Sequence, residues 1–482
     1  MIVRVIVAAI LSFALSVAAV SASSQPANAA ARTHLELGKQ YERDQKLDLA
    51  AEEYRRALTA APTLAEAHDR LGFVLGKQGR TADAIAEFER AVALQPSYFD
   101  ARYHLGVTLW WTKQLDAART HLENAVKLRP EHAEARYYLA VTQRQQGNVE
   151  AAIENFRIAL QHDRQLVPAH AQLGVALQQV GDIDGAIAEF QAALALDQGR
   201  ADAHNSLGLA LMQKGDARAA IDTLRAVVGN HPDFSEARLN LGTALMQSGD
   251  LNGAVREFRE LTRRDPSSVE GFYDLGLALK QQDDFEGAEN ALRAAMKLDP
   301  ALPEAPFTLG VVLWQTGRAD EAAAMFKEAI ARRPEYAEAH YMLGTIFRQD
   351  GDADAALFEL REAIRLNPMS AEAQTTLGQM LQARRDAEGA AKAFAEAERL
   401  NKLKADAQAA VFAVNAGIEA MKRHDTAAAI EKFREAVRLA PDNAQAHYQL
   451  ALALRRAGRQ DEARAEFTAA RRLAPYLKDP GS

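Results

Sequence analysis

The sequence predicts an all-α solenoid, a row of helix-turn-helix units each leaning on the next. Three observations predict it. Alanine returns every thirty-fourth residue from Ala50 to Ala390, and again in a shifted register at Ala429 and Ala463. Glycine holds a second place in eleven of thirteen units, from Gly38, Gly72 and Gly106 to Gly378 and Gly417, with Ala140 and Ala451 as the exceptions. Proline closes ten of the thirteen, from Pro62 and Pro96 to Pro441 and Pro475. A fixed period of about 20–50 residues marks a repeat protein, whose core grows one unit at a time and whose working part is an extended surface.

With Ala65 as place 1, the frame reads Ala65-Glu66-Ala67-His68, Leu71-Gly72, Gly79, Ala84, Phe88, Ala91, Pro96. Places 1–14 and 17–31 carry apolar residues at helical spacing, so each unit is two amphipathic helices. A glycine or polar pair near places 15–16, such as Gly215-Asp216 or Gly351-Asp352, ends the first helix and turns the chain. The place-32 proline stops the second, because it lacks an N–H and restricts the residue before it. A helical glycine costs about 1 kcal/mol relative to alanine, so its return at place 8 requires a packing reason. The expectation is that Gly at place 8 and Ala at place 20 form the close contact within a unit. The place-24 aromatic or leucine and the place-27 alanine are expected to pack toward the following unit.

Composition narrows the function classes. The formal net charge of −8 is spread without a basic stripe, which argues against nucleic acid as a partner. The absence of cysteine removes disulfides, thiolate metal sites and a cysteine nucleophile. Arg4, an apolar run from Val5 to Val20 and small residues around Ala22 and Ala29 describe a secretory signal over residues 1–29, cut after Ala22 or Ala29. Sixteen residues fall short of the ~20 that span a bilayer, so no membrane span is expected after cleavage, and the localisation expected is periplasmic or secreted.

The frame resembles the tetratricopeptide repeat family from Ala31 to Pro475. The resemblance implies about thirteen stacked helix-turn-helix units in a right-handed superhelix, with the first helices lining a concave groove that binds partners. Eleven units run over residues 31–404, an insertion over 405–409, two further units over 410–477 and a tail over 478–482. Before the insertion, Glu398 and Lys402 replace the usual apolar residue and proline, so the array is expected to break there and a long or bent helix to bridge the parts. Arg464 and Arg471 give the last unit a polar outer side, as a terminal repeat needs.

No Walker loop, nucleophile elbow or HExxH helix occurs, and the repeats consume the chain, so no catalytic, cofactor or metal residues are expected. Six histidines recur at place 4: His34, His68, His170, His204, His340 and His447. Stacked helices stand about 8–10 Å apart, too far for one metal ion to be shared along the ladder, and a structural role is expected.

The resemblance puts places 2, 5, 9, 12 and 13 on the concave face. Glutamine fills place 13 seven times running, at Gln145, Gln179, Gln213, Gln247, Gln281, Gln315 and Gln349, a row of amides able to donate to and accept from a peptide backbone. Aromatic residues gather in two clusters, Tyr103, Trp110, Trp111 and Tyr137, then Phe307, Trp314 and Tyr341, suited to anchoring a partner. Val411, Val414, Ile418 and Met421 form an apolar group expected to dock on the preceding subarray. The carboxylate clamp of some family members needs Lys and Asn at places 5 and 9; these read Leu35/Lys39, Asp69/Phe73 and Tyr103/Val107, so it is absent. The function expected is a non-enzymatic protein-protein interaction scaffold of the bacterial cell envelope, binding a partner protein or extended peptide in the groove. The alternatives are a glycan-handling or polysaccharide-export subunit and, more remotely, the recruitment arm of a transferase complex.

Overall fold

A computed structural model describes residues 28–474 and Leu477. The expected signal segment lies outside the described residues up to position 27, as does the 478–482 tail. Among the described residues the regular elements are all helices, and none is long and apolar enough to cross a membrane.

The chain divides into two compact units, one ending at Pro266 and one beginning at Ser267. The first holds α1 (residues 28–43), α2 (Leu47–Ala60), α3 (Ala65–Lys77), α4 (Thr81–Leu94), α5 (Phe99–Trp111), α6 (Leu115–Leu128) and α7 (Ala133–Gln145). It continues with α8 (Val149–His162), α9 (Val167–Gln179), α10 (Ile183–Leu196), α11 (Ala201–Lys214), α12 (Ala217–Asn230), α13 (Ser235–Gln247) and α14 (Leu251–Arg264). The second holds α15 (Val269–Gln281), α16 (Phe285–Leu298), α17 (Glu304–Gln315), α18 (Ala319–Arg332), α19 (Ala337–Asp350) and α20 (Ala353–Leu366). It ends with α21 (Ala371–Ala383), α22 (Ala387–Lys422), α23 (Thr426–Leu439), α24 (Ala444–Arg456) and α25 (Gln460–Leu473). Inside each compact unit a helix packs on its successor, and every second helix begins a repeat as far as α21; α22 closes one repeat and opens the next, and α24 begins the last.

Place 15 is left-handed throughout. Eight units use glycine there, and Gln45, Lys113, Asp283, Arg385 and His424 adopt the same positive φ without it. Aspartate at place 16 then caps the second helix: Asp182 Oδ1 accepts from the Gly185 N–H at 3.0 Å, and Asp250 Oδ1 from that of Gly253 at 2.8 Å.

The place-8 glycine meets the place-20 backbone as expected, a Cβ on Gly72 standing 3.1 Å from the Ala84 carbonyl oxygen, and the place-24 side chain crowds it as well. A Cβ on Gly72 would meet the Phe88 ring at 2.8 Å, one on Gly242 the Phe258 ring at 2.4 Å, and one on Gly106 Leu122 Cγ at 2.7 Å. The place-24 side chain therefore fills the space above the glycine of its own unit, and Phe88 also reaches the next, its ring 5.6 Å from His104. The reason is geometric: place 24 lies one turn beyond place 20 on the second helix, and a ring is long enough to cross to the first. Phe190, Phe258, Phe326 and Phe433 are fully buried this way, each contributing about 1.5–3 kcal/mol.

The bridging helix is a single element. α22 packs through its first half on α21 and through its second on α23, with Phe394 over Gly378 and Phe433 over Gly417. Between Leu400 and Ala410, both buried, its side chains are almost all exposed. Arg464 and Arg471 are exposed on α25.

Candidate functional site on the first helices

Places 5 and 12 are seven residues apart, about 700° of helical rotation, so they share one face of a first helix about 10 Å apart. On α5 these are Tyr103 and Trp110. With Phe73 on α3, Trp111 and Tyr138 on α7 they line a cleft of about 760 Å³, rimmed by Lys77 and Glu134. The Trp110 ring lies 5.4 Å from Tyr138 and 6.3 Å from Trp111, and Tyr103 lies 6.2 Å from Tyr138. Trp110 is half-buried against the core, while Trp111 is 73% exposed. The Trp110 Nε1–H is buried and finds no acceptor among the described residues.

One carboxylate, Glu134, bears on both tyrosines of this cleft. Tyr103 Oη donates to Glu134 Oε2 at 3.0 Å. Burial first, and Glu134 next, push the Tyr103 phenol well above its ordinary range, and the same two causes raise Tyr138. The cleft wall includes Tyr138 in place of the expected Tyr137. Tyr137 turns inward, with its ring 6.0 Å from the buried Phe156 and 5.1 Å from Tyr138. Adjacent side chains on a helix diverge by about 100°, and here that divergence sends Tyr137 to Phe156 and Tyr138 to the cleft. The doublet Tyr137-Tyr138 was the available signal.

The second aromatic group is not gathered in this way. Phe307 packs 5.7 Å from Phe326 and 4.8 Å from Tyr336, and among the described residues it makes no ring contact with Trp314 or Tyr341. Trp314 and Tyr341 are half-buried, Tyr341 against the core formed with Leu360 and Leu381. Arg333 lies 4.9 Å above the Tyr336 ring and pairs with Glu304; burial first, then Tyr273 and the Glu304 and Glu338 carboxylates, push the Tyr336 phenol up to about 12.

All seven place-13 glutamines are exposed. Gln213 accepts from Gln178 Nε2 at 2.8 Å, so one amide of the row is tied to its neighbour.

The place-4 histidines hold their own unit together. Nδ1 of His34, His68, His170 and His340 lies 2.6 Å from a carboxylate nineteen residues on, that of Glu53, Glu87, Glu189 and Glu359, and His447 lies 2.5 Å from Glu466. In His68, His340 and His447 the other nitrogen reaches the carbonyl of the place-32 proline, Pro62, Pro334 and Pro441, at 3.0 Å. Arg238 makes the same clip with Glu257 and Pro232. His204 lacks the carboxylate, since Thr223 stands nineteen residues on, and it turns to the Arg200 carbonyl. The i, i+19 spacing of His and Glu was the sequence signal for this pairing.

The apolar group on α22 divides. Val414 is buried, and Ile418 and Met421 pack on the core of α23 and α24, not on the preceding subarray. Val411 and its neighbour Phe412 stay 52% and 75% exposed.

The comparisons agree with this construction. Tetratricopeptide repeats match residues 75–123, 112–167, 167–200 and 414–477. The C-terminal domain of cilia and flagella-associated protein 70 matches residues 197–414. The chain belongs to the tetratricopeptide repeat family. Among solved structures it is similar to MamA, with 26% identity over 34% of this chain and 96% of that one and a TM-score of 0.33. YrrB, described as a TPR protein with an unusual peptide-binding site, is 23% identical over 37% of this chain and 92% of its own, with a TM-score of 0.33. PilF of Pseudomonas aeruginosa is 19% identical over 44% and 97%, with a TM-score of 0.40. No curated protein matches the chain.

Proposed function

We propose that this protein is a non-enzymatic scaffold of the bacterial cell envelope, exported by its N-terminal signal, that holds a partner protein through an extended segment laid along the first helices. The observation that carries this reading is the cleft of α3, α5 and α7. Large aromatic side chains with a polar handle are the usual anchors of protein interfaces, and an exposed tryptophan beside a half-buried one supplies rigid contact area at little entropic cost. The glutamine row supports it, because exposed amides spaced one per unit can follow a peptide backbone without reading its side chains.

A photo-crosslinking residue placed at position 111 of the full chain in its own cells tests both halves. A single adduct to one envelope protein, missing when the group is moved to position 225 on α12, is the expected outcome. Crosslinks equal at the two positions, or a chain that stays in the cytosol with its N-terminus intact, would overturn the reading.

A further inference from the structure

One pair of side chains at the aromatic cleft stands outside the repeat frame. Aspartate occurs at place 5 only as Asp69, and histidine at place 6 only as His104. Asp69, on α3, is fully buried, where an unpaired carboxylate would be costly. Its Oδ1 lies 2.8 Å from Nδ1 of His104 on α5, and its Oδ2 accepts from Tyr98 Oη at 3.5 Å. A carboxylate only accepts, so Nδ1 carries a proton and donates it. Three rings fix the imidazole further: Phe73 at 5.2 Å, and Phe88 and Tyr103 each at 5.6 Å.

The other nitrogen is free. Nε2 of His104 has no partner among the described residues, and the imidazole lines the cleft with Trp110, Trp111 and Tyr138. Nε2 accepts while the ring is neutral and donates once the ring is protonated. A hydroxyl meets either state, whereas a carboxylate meets only the second and an ammonium only the first. The walls around it are aromatic, so the group they match is a hydroxyl carried on a ring. A sugar would bring several hydroxyls to a cleft in which Tyr103 Oη is engaged by Glu134, Thr108 Oγ1 by the His104 carbonyl, and Lys77 by the Phe73 ring 4.8 Å away.

We infer that the cleft is selective for tyrosine: the partner's extended segment places a tyrosine ring among Phe73, Trp110 and Tyr138, with its hydroxyl on Nε2 of His104. Asp69 is the positioning residue that aims the imidazole, as a carboxylate behind a histidine does when it fixes tautomer and ring orientation. This rests on the scaffold reading and names the side chain that the aromatic anchors receive.

The test is a tryptophan-fluorescence titration of the full chain with a capped Gly-Gly-Tyr-Gly-Gly peptide, beside the same peptide with Phe for Tyr. The tyrosine peptide is expected to bind about three- to tenfold more tightly, the margin of one net hydrogen bond. His104→Phe should bring the two affinities together and leave that of the phenylalanine peptide unchanged, which shows that the cleft is intact. Asp69→Leu, a residue that place 5 carries at Leu35 and Leu239, should narrow the margin in the same way, and Asp69→Glu should restore part of it. Equal affinities in the parent chain, or a tyrosine preference that survives His104→Phe, overturn the inference while sparing the scaffold reading. Saturable binding of a chito-oligosaccharide in place of the tyrosine peptide overturns it in favour of a glycan. If neither peptide binds, the inference falls, and the scaffold reading falls with it only when position 111 also gives no adduct.

Discussion

Around Trp110 the aromatic rings form a continuous wall, and around Trp314 they are dispersed, although the repeat frame delivers both tryptophans to the same place. Two neighbouring places make the difference. Place 13 is Trp111 in one and Gln315 in the other; place 6 of the next repeat is Tyr138 in one and Met342 in the other. The Trp110 ring is completed by Trp111 and Tyr138, each within 6.3 Å. Phe307 also lacks the hydroxyl with which Tyr103 holds Glu134. The frame thus fixes direction and spacing, and the non-frame residues decide whether a cleft forms.

The largest effect is expected where the frame itself is touched. A Cβ on Gly310 would stand 2.7 Å from the fully buried Phe326 ring. Gly310→Ala should cost about 1–3 kcal/mol through overpacking, despite the ~1 kcal/mol that alanine gains in a helix. The fourth repeat shows the contrary arrangement, with Ala140 at that place and Phe156 still fully buried. There Ala140→Gly should destabilise as well, by about 1 kcal/mol. A urea titration in which Gly310→Ala raises the midpoint would show that helix propensity, not the ring, governs place 8.

The next effect is electrostatic and contrasts place 6 of the second and eighth repeats, 204 positions apart. Arg70 lies among carboxylates, 3.5 Å from Glu42. Asp274 is half-buried beside another carboxylate, Glu270; burial first and that neighbour second raise its pKa from 3.8 to about 6. Between these values the folded chain keeps a proton that the unfolded chain releases. Its contribution is therefore full below pH 3.8 and is lost as pH rises through about 6. Asp274→Asn should be neutral near pH 4 and stabilise by on the order of 1–2 kcal/mol near pH 8, after discounting for partial exposure. Equal urea midpoints for variant and parent at the higher pH would contradict this burial.

For binding, the comparison is between Trp111 and Gln315. Trp111→Ala should weaken capture of a peptide by about tenfold, near 1.4 kcal/mol. Gln315→Ala should change it less than about twofold, because an exposed amide exchanges water for peptide at little net gain. Parallel fluorescence-anisotropy titrations of the two variants decide it, and equal losses would mean that the cleft is not the anchor.

Most of the fold was legible because the repeat enforces it locally. Helix starts, the place-15 turn and the stop before proline recur often enough that one frame locates them all, and the unbroken helix across residues 387–422 follows from the lack of any breaker. What escaped was lateral reach. The place-24 ring crosses to its own glycine, His68 finds Glu87 nineteen residues on, and Tyr138 displaces Tyr137 from the cleft wall. Each depends on side-chain length and direction between two helices, which periodicity along one helix does not encode. Val414 was misplaced for the same reason, since its face was legible but not the helix that covers it.

The smallest predicted effect isolates the turn. The third repeat has Lys113 at place 15 with φ 64°, where the ninth has Gly317 with φ 77°. A side chain in the left-handed region costs roughly 1–2 kcal/mol that glycine avoids, partly offset by glycine's greater freedom in the unfolded chain. Lys113→Gly should therefore stabilise by about 0.5–1 kcal/mol and Gly317→Lys should destabilise by a similar amount. Neither side chain builds the cleft, so peptide affinity should not move in either variant while the urea midpoints move in opposite directions. If both midpoints fell, the lysine would be contributing a contact that outweighs its backbone strain, and the two turns would not be equivalent.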